Sequence, residues 1–226
     1  MKYKLSVIAL GGSVMYPEHI DIEYFRQFKK FIEKLVKRGH RFIIVTGGGK
    51  LARNYQNALS AIVRADDWNK DMVGIQATRA NAYLLRGILK DSDPVVINET
   101  DKPKKIKYPI TVGSGDTPGH STDYDSILLA DFYGANQVII AGKPSHVFDK
   151  DFVHHDDAKP FDYLSWKEYR AIFSKKWTPG FGSPVDPIGA KLAEKKGIKA
   201  IIINGRDLKN FERAILGKDF KGTVIS

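Results

Sequence analysis

The chain has 226 residues, of which 42% are hydrophobic and 27% charged, and its formal net charge at pH 7 is +10. This length suits one large domain or two small ones, and the lack of cysteine excludes disulfides and thiolate metal sites. No apolar run is long enough for a signal peptide or a membrane span, so we expect a cytoplasmic protein without membrane partners. Because the basic residues are dispersed, the positive charge favours small phosphorylated ligands over nucleic acid.

The first half of the sequence alternates apolar runs with segments of helical periodicity. The predicted strands are 3–10, 41–46, 94–98 and 108–112. The predicted helices are 22–38, 50–65, 72–89 and 122–133. The polar residues 66–70 and the basic residues 100–107 are expected to form loops.

The second half continues the alternation. Strands are predicted at 137–141, 200–204 and 222–225, with an irregular stretch at 142–160 that contains a hairpin near Val147-Phe148. A capping box from Ser165 to Glu168 and an Asp186-Pro187 pair open two helices, and a third begins at Asp207. Regular alternation of strands and helices predicts an α/β protein with a mostly parallel sheet covered on both faces.

Three glycine-rich turns each follow a predicted strand directly. They are Gly11-Gly12-Ser13, Gly47-Gly48-Gly49 and Gly113-Ser114-Gly115. Because the loops after parallel strands share one edge of the sheet, these turns should lie together. Glycine keeps side chains away from backbone N–H groups, which bind anions at helix N-termini. The set predicts a site for a nucleotide and a second phosphorylated group, whereas any one turn alone could be a tight connection with solvated basic residues.

Other ligand motifs fit the sequence less well. The Walker pattern G-x-x-x-x-G-K-[ST] is absent. Residues 47–52 match the dinucleotide pattern G-x-G-x-x-[GA], but the acidic residues Asp66 and Asp67 fall in a predicted loop instead of ending a strand. The run His154-His155-Asp156-Asp157 could bind a metal, although its polar setting favours a solvated loop. We therefore predict no protein-bound metal site from the residues themselves.

Four blocks of sequence, in order, resemble the amino acid kinase family. They are ALGGSV (9–14), TGGGKLARNY (46–55), GIQATRANA (74–82) and PGHSTD (118–123). Looser matches follow at 186–191 and 222–223. The ordered set covers essentially the whole chain and is most similar to the archaeal-type UMP kinases of that family.

This resemblance implies a three-layer αβα sandwich and ATP-dependent transfer of a phosphoryl group to UMP, giving UDP and ADP. It implies one domain over residues 1–226, in which roughly 1–135 bind the phosphate acceptor and roughly 136–226 bind ATP. It further implies Mg²⁺ as the accompanying cation and a homo-oligomer, namely a hexamer.

The resemblance also implies roles for matched positions. UMP would be contacted by Gly48, Asp71, Ser114, Gly115, Asp116, Thr117, Pro118, Gly119, His120 and Thr122. ATP would be contacted by Gly11, Gly12, Ser13, Gly49, Arg53, Lys143, Phe148 and Asp151. Phosphoryl transfer needs alignment and charge neutralisation but no protein nucleophile, so Arg53 and Lys50 would act as catalytic cations. Asp123 would order the cations or Mg²⁺, although an ordinary first-turn aspartate fits that position equally.

Several positions depart from the family pattern. Ala9 stands where many members carry a lysine that reaches the phosphates. The adenine-side signature is eroded over 142–152, where Phe148 replaces a tyrosine and Asp151 is retained. Asp116-Thr117 varies the acceptor loop.

The missing lysine generates a hypothesis and keeps two alternatives open. We hypothesise that Lys143 or Lys150 supplies the cation that position 9 lacks. A nucleotide-binding sensor or storage protein without catalysis remains an alternative. So does a kinase of the same fold that acts on carbamate or isopentenyl phosphate.

Overall fold

The computed structural model describes residues 4–100, 105–151, 153–173, 176–180 and 182–226. Within these ranges the strands are β1 (Lys4–Leu10), β2 (His40–Thr46), β3 (Ile110–Gly113), β4 (Gln137–Gly142), β5 (Val147–Phe148), β6 (Pro160–Phe161), β7 (Tyr163–Leu164), β8 (Lys199–Asn204) and β9 (Thr223–Ile225). The helices are α1 (Gly12–Met15), α2 (Ile22–Val36), α3 (Gly49–Ile62), α4 (Asp67–Ile88), α5 (Thr122–Phe132), α6 (Trp166–Ile172), α7 (Pro187–Lys196) and α8 (Leu208–Ile215).

Seven of the described strands form one sheet in the order β3-β2-β1-β4-β8-β9-β7. β1 pairs in parallel with β2 and β4, β2 with β3, and β4 with β8. β9 runs antiparallel to β8, and β7 runs parallel to β9. The predicted mostly parallel sheet is confirmed, and so is the hairpin, in which β5 pairs with β6. The carboxyl ends of β1, β2, β3, β4 and β8 therefore share one edge of the sheet.

Hydrophobic cores cover both faces of this sheet. Ile8 and Ile44 pack into a cluster formed with α2, α4 and α8. Their neighbours Val7 and Ile43 pack into a second cluster, formed with α5, α6 and α7. Because alternate residues enter opposite cores, β1 and β2 are continuously apolar over most of their length, as in other parallel sheets with two covered faces. The three layers are thus helices, sheet and helices.

Several helices begin at the residues that the sequence predicts. The Asp21 carboxylate accepts a hydrogen bond from the Tyr24 N–H, and the Asp186 carboxylate accepts from the N–H groups of Ile188 and Gly189. The capping box of Ser165 and Glu168 is complete. These caps satisfy N–H groups that have no partner within their helices. Throughout the described ranges, every helix is too short or too polar to cross a membrane.

Two segments differ from prediction. The polar residues 66–70 predict a loop, but Asp66 caps α4 by accepting from the Asn69 N–H at 2.8 Å, so this helix begins at Asp67. The apolar residues within 94–98 predict a strand, but Ile97 makes only an isolated bridge to Gly113. Pro94 has no N–H to donate, and the Val95 N–H bonds to the Asp93 side chain instead of a strand.

The first two glycine turns contact each other through their backbones. A Cβ atom on Gly12 would lie 2.0 Å from the nitrogen of Gly49, and one on Gly49 would lie 2.3 Å from the oxygen of Gly12. Gly49 also has a φ of +62°, which disfavours other residues. The Gly47 N–H bonds to the Leu10 carbonyl at 2.9 Å. The ends of β1 and β2 are thereby fixed without intervening side chains.

We expect Gly12→Ala to lower the free energy of unfolding by about 3 kcal/mol, because the added methyl group must displace backbone atoms. Gly87→Ala is the matched control, since a Cβ on this exposed α4 glycine meets nothing within 4 Å. That substitution should stabilise the protein by up to about 1 kcal/mol through helix propensity. Urea denaturation of both variants measures the difference. Equal stability of Gly12→Ala and the wild type would contradict the close contact.

Candidate active site

A cleft of about 170 Å³ lies at the carboxyl edge of the sheet, between α3, α4 and the start of α5. We call it the edge cleft. Its lining residues are Gly48, Gly49, Ala52, Arg53, Gln56, Asp71, Gly74, Ile75, Thr78, Gly115, Thr117, His120, Ser121, Thr122, Asp125, Trp177 and Gly180. The cleft is therefore bordered by the second and third glycine turns, which the sequence predicts to lie together.

Polar side chains of α4 fix the glycine turns in place. The Thr78 hydroxyl accepts from the Gly115 N–H at 2.8 Å and donates to the Ile75 carbonyl at 2.7 Å. The Asn81 amide donates to the Gly47 carbonyl at 2.8 Å. The sequence motifs assign no individual role to Thr78 or Asn81. Their signal is that both are polar residues on the buried side of a long predicted helix, where each requires a partner.

Asp71 joins the start of α4 to the 114–120 loop and to the connection between α6 and α7. Its Oδ2 atom accepts from the Gly119 N–H at 2.8 Å and from the Trp177 indole N–H at 3.1 Å. The side chain is largely buried. The sequence predicted a role for Asp71 but not its contact with Trp177, which is 106 positions away.

The 114–120 loop is also held by the segment before β3. The N–H and the hydroxyl of Thr100 both donate to Asp116 Oδ2, at 2.8 Å each. The Ser114 hydroxyl donates to the Asn98 side-chain oxygen at 2.8 Å. Asp116 and Ser114 thus bond to the protein itself and shape the loop.

Acidic groups that are buried or half-buried surround the start of α5. The Ser121 hydroxyl lies 2.6 Å from Asp186 Oδ2 and 3.0 Å from Asp123 Oδ2. Burial raises the pKa of Asp123 to about 7, and the neighbouring charge of Asp186 adds to this shift. Burial likewise raises the pKa of Asp125 well above its usual value, with a further contribution from Asp116. Asp123 therefore titrates in the neutral range, next to the aspartate that caps α7.

Many residues assigned by sequence resemblance lie together in this structure. Those that line the edge cleft are Gly48, Gly49, Arg53, Asp71, Gly115, Thr117, His120 and Thr122. Ser114, Asp116, Pro118 and Gly119 belong to the same 114–120 loop. Gly11, Gly12 and Ser13 form the neighbouring turn, although the Gly11 N–H already bonds to the Ala141 carbonyl.

The remaining assigned residues lie outside the lining of the edge cleft. Lys50 Nζ is 3.3 Å from Glu18 Oε2. Lys143 directly follows β4 at the carboxyl edge of the sheet, and Phe148 lies in β5. In the connection after β5, Asp151 Oδ2 lies 2.7 Å from His154 Nδ1.

The ranges that the structure describes hold several of the His, Asp and Glu side chains of the chain. They contain no group of three His, Asp or Glu side chains arranged to hold a metal ion, and this includes 154–157.

The fold and the cleft define an α/β protein of three-layer αβα architecture with a glycine-lined cleft at the carboxyl edge of its sheet. Residues 4–204 match the amino acid kinase family, and the chain belongs to that family. Uridylate kinase from Pyrococcus abyssi is 35% identical over 224 residues, which cover 97% of this chain and 98% of the relative. Uridylate kinase from Methanocaldococcus jannaschii is 34% identical, with 97% and 98% covered. The crystal structure of uridylate kinase from Archaeoglobus fulgidus superposes with a TM-score of 0.83 at 32% identity, covering 99% of this chain and 100% of that one.

The raised pKa of Asp123 predicts a pH-dependent difference in stability between the wild type and Asp123→Asn. The ordinary pKa is 3.8 and the folded value is about 7. Between these values the folded protein binds more protons at this group than the unfolded chain, so its contribution to stability falls as pH rises. We expect the melting temperature of the wild type, relative to Asp123→Asn, to decrease from about pH 4 to about pH 7 and then level off. A pH-independent difference in calorimetry would contradict the shift.

Proposed function

We propose that this protein is a cytoplasmic ATP-dependent UMP kinase that transfers the γ-phosphoryl group of ATP to UMP, giving UDP and ADP. The observation that carries the proposal is the convergence of Arg53, Asp71 and the 114–120 loop in one cleft at the edge of a parallel sheet. Relatives named uridylate kinase that align over nearly the whole chain support it.

The residues of the edge cleft meet the physical demands of phosphoryl transfer. Such enzymes work mainly by aligning donor and acceptor and by neutralising charge on the moving group. Arg53 is exposed and lines the cleft, so its guanidinium can approach phosphate oxygens. Gly48 and Gly49 also line the cleft, where their backbone is not covered by a side chain of their own. Asp71, whose carboxylate is held by two N–H donors, is suited to accept from a ribose hydroxyl of UMP.

In this proposal each half of the chain binds one of the two substrates. Roughly 1–135 bind UMP, and roughly 136–226 bind ATP at the ends of β4 and β8. The ends of these strands are joined by a hydrogen bond of 2.9 Å from the Gly205 N–H to the Gly142 carbonyl. The backbone contact of Gly12 and Gly49 leaves a surface without side chains, which fits a polyphosphate. Mg²⁺ would neutralise phosphate charge when bound, and Asp123 is the carboxyl that we assign to ordering the cations.

Lys143 is the better candidate for the cation that position 9 lacks. Ala9 is buried in the core that faces α5, α6 and α7. Lys143 follows Gly142, whose Cα would lie 3.2 Å from a Cβ on Gly11, so its backbone adjoins the first glycine turn. Lys150 instead lies 2.5 Å from Asp157 in the connection after β5.

We expect Arg53→Ala to lower turnover by about tenfold to a hundredfold, because a charged hydrogen bond contributes about 1.5–3 kcal/mol. Lys143→Ala should also lower turnover. Lys150→Ala is the matched control, since it removes the same side chain from the connection after β5 and should change turnover by less than about twofold. Steady-state rates of ADP release measure all three. Near-normal turnover of Arg53→Ala would overturn its assignment to the reacting phosphates, and a loss confined to Lys150→Ala would reverse the choice of lysine.

The proposed function is tested by ADP release with UMP, CMP, carbamate and isopentenyl phosphate as acceptors. We expect the highest kcat/KM with UMP. Binding of UMP without ADP release would favour a non-catalytic sensor or storage protein. Release with carbamate or isopentenyl phosphate alone would assign a different acceptor to the same fold.

The outer surface of α3 supports the proposal that the protein is a homo-oligomer, with a hexamer as the family expectation. Ala52 is the only buried residue of α3, all of which lies in a described range. The helix nevertheless carries an apolar stripe at helical spacing, formed by Leu51, Tyr55, Ala58, Leu59 and Ile62. Tyr55 and Ile62 are 59% and 81% exposed. A second copy of the chain would cover this stripe.

We expect Ile62→Glu to reduce the mass measured by light scattering, because a carboxylate within an apolar interface is costly to desolvate. Asn57→Glu introduces the same charge on the opposite side of α3 and should keep the wild-type mass. A monomeric wild type, or equal masses for both variants, would contradict an interface at this stripe.

A further inference from the structure

Trp177 brings the connection between α6 and α7 into the edge cleft. This connection belongs to the C-terminal half of the chain, whereas α3, α4 and the 114–120 loop belong to the N-terminal half. Trp177 and Gly180 line the cleft. The Trp177 side chain is only partly exposed, and its indole N–H reaches Asp71 Oδ2 at 3.1 Å. One side chain from the C-terminal half thus contacts the group that we assign to UMP.

The chemistry of the indole makes this contact directional. A tryptophan N–H can donate but cannot accept, so it requires an oxygen such as that of Asp71. Because the carboxylate is charged, the hydrogen bond is stronger than one between neutral groups. The Gly119 N–H donates to the same oxygen at 2.8 Å. Two donors from different segments fix Oδ2, and they thereby restrict rotation of the carboxylate.

We propose that Trp177 is a positioning residue of the acceptor subsite. Its N–H orients the Asp71 carboxylate so that the other oxygen is presented to a hydroxyl of the acceptor nucleoside, and its ring forms a wall of the edge cleft. The inference rests on the proposed function, because it assigns Asp71 to the sugar of UMP. It adds a residue from the half of the chain that is otherwise assigned to ATP.

This role separates the two substrates kinetically. Loss of the indole N–H leaves Asp71 with one donor and a less restricted carboxylate, which weakens binding of the acceptor. The two glycine turns that meet at Gly12 and Gly49, to which we assign the ATP phosphates, take no part in this contact. Trp177→Phe should therefore raise the KM for UMP and leave the KM for ATP unchanged.

The test compares the wild type, Trp177→Phe and Trp68→Phe in the ADP-release assay. We expect Trp177→Phe to raise the KM for UMP by about tenfold, the loss of roughly one charged hydrogen bond, with the KM for ATP and kcat within about twofold. Trp68→Phe is the matched control, because Trp68 is also on the surface of the molecule, is 58% exposed and does not line the cleft. Its constants should equal those of the wild type.

A double-mutant cycle shows whether Trp177 acts through Asp71. The kcat/KM for UMP is measured for Asp71→Ala, Trp177→Phe and the double variant. We expect the double variant to be no worse than Asp71→Ala within about twofold. If the fold losses in kcat/KM of the two single variants multiply in the double variant, the two residues act independently, and positioning through Asp71 is contradicted.

Tryptophan fluorescence gives a readout that does not depend on turnover. The chain has three tryptophans, at 68, 166 and 177, and Trp166 is buried in the core. Saturating UMP should change the emission of the wild type and of Trp68→Phe, but not that of Trp177→Phe. An unchanged KM for UMP in a folded Trp177→Phe, judged by its melting temperature, overturns the inference alone. A wild type that releases no ADP with UMP overturns the proposed function and the inference together.

Discussion

The structure depends on the direct contact of two backbones at Gly12 and Gly49. At this point β1 and β2 end side by side, and they are followed by α1 and α3, respectively. No side chain fits between them, since even a methyl group on Gly12 would lie 2.0 Å from the Gly49 nitrogen. The contact aligns the first turn of α3, and so fixes where Arg53 enters the edge cleft. The polyphosphate site that we propose here is therefore formed mainly by peptide groups, which need no reorganisation when a charged ligand binds.

Helix α4 connects this contact to the rest of the cleft. Asp71, Thr78 and Asn81 lie along one helix and bond to the 114–120 loop, Gly115 and the Gly47 turn, respectively. Buried polar groups are costly unless satisfied, and a satisfied network holds its members in a single arrangement. Catalysis by alignment requires such rigidity, because it depends on keeping donor and acceptor in line. The acidic residues at the start of α5 add a group that titrates near neutral pH beside this framework.

Local sequence patterns predicted the parts of the structure that local physics determines. Continuous apolar runs predicted β1 and β2, and capping residues predicted the starts of α2 and α7. The glycines that follow strands predicted that the three turns share one edge of the sheet. The same reasoning failed at 66–70 and 94–98, where Asp66 and Asp93 bond to nearby backbone N–H groups and change the outcome. It could not find the contact of Trp177 with Asp71 or the pairing of Lys50 with Glu18. Such contacts depend on how distant segments or loop side chains pack, and periodicity carries no information about that.

The position of β9 has a consequence for synthesis. This strand lies between β8 and β7, and the Ser226 carbonyl accepts from the Trp166 N–H while its N–H donates to the Leu164 carbonyl. β7 therefore has no place in the sheet until residues made some sixty positions later have left the ribosome. The strands β1, β2 and β3 can pair long before that. During translation the part of the protein assigned to the acceptor can fold first, and the sheet of the part assigned to ATP is completed only when β9 is in place.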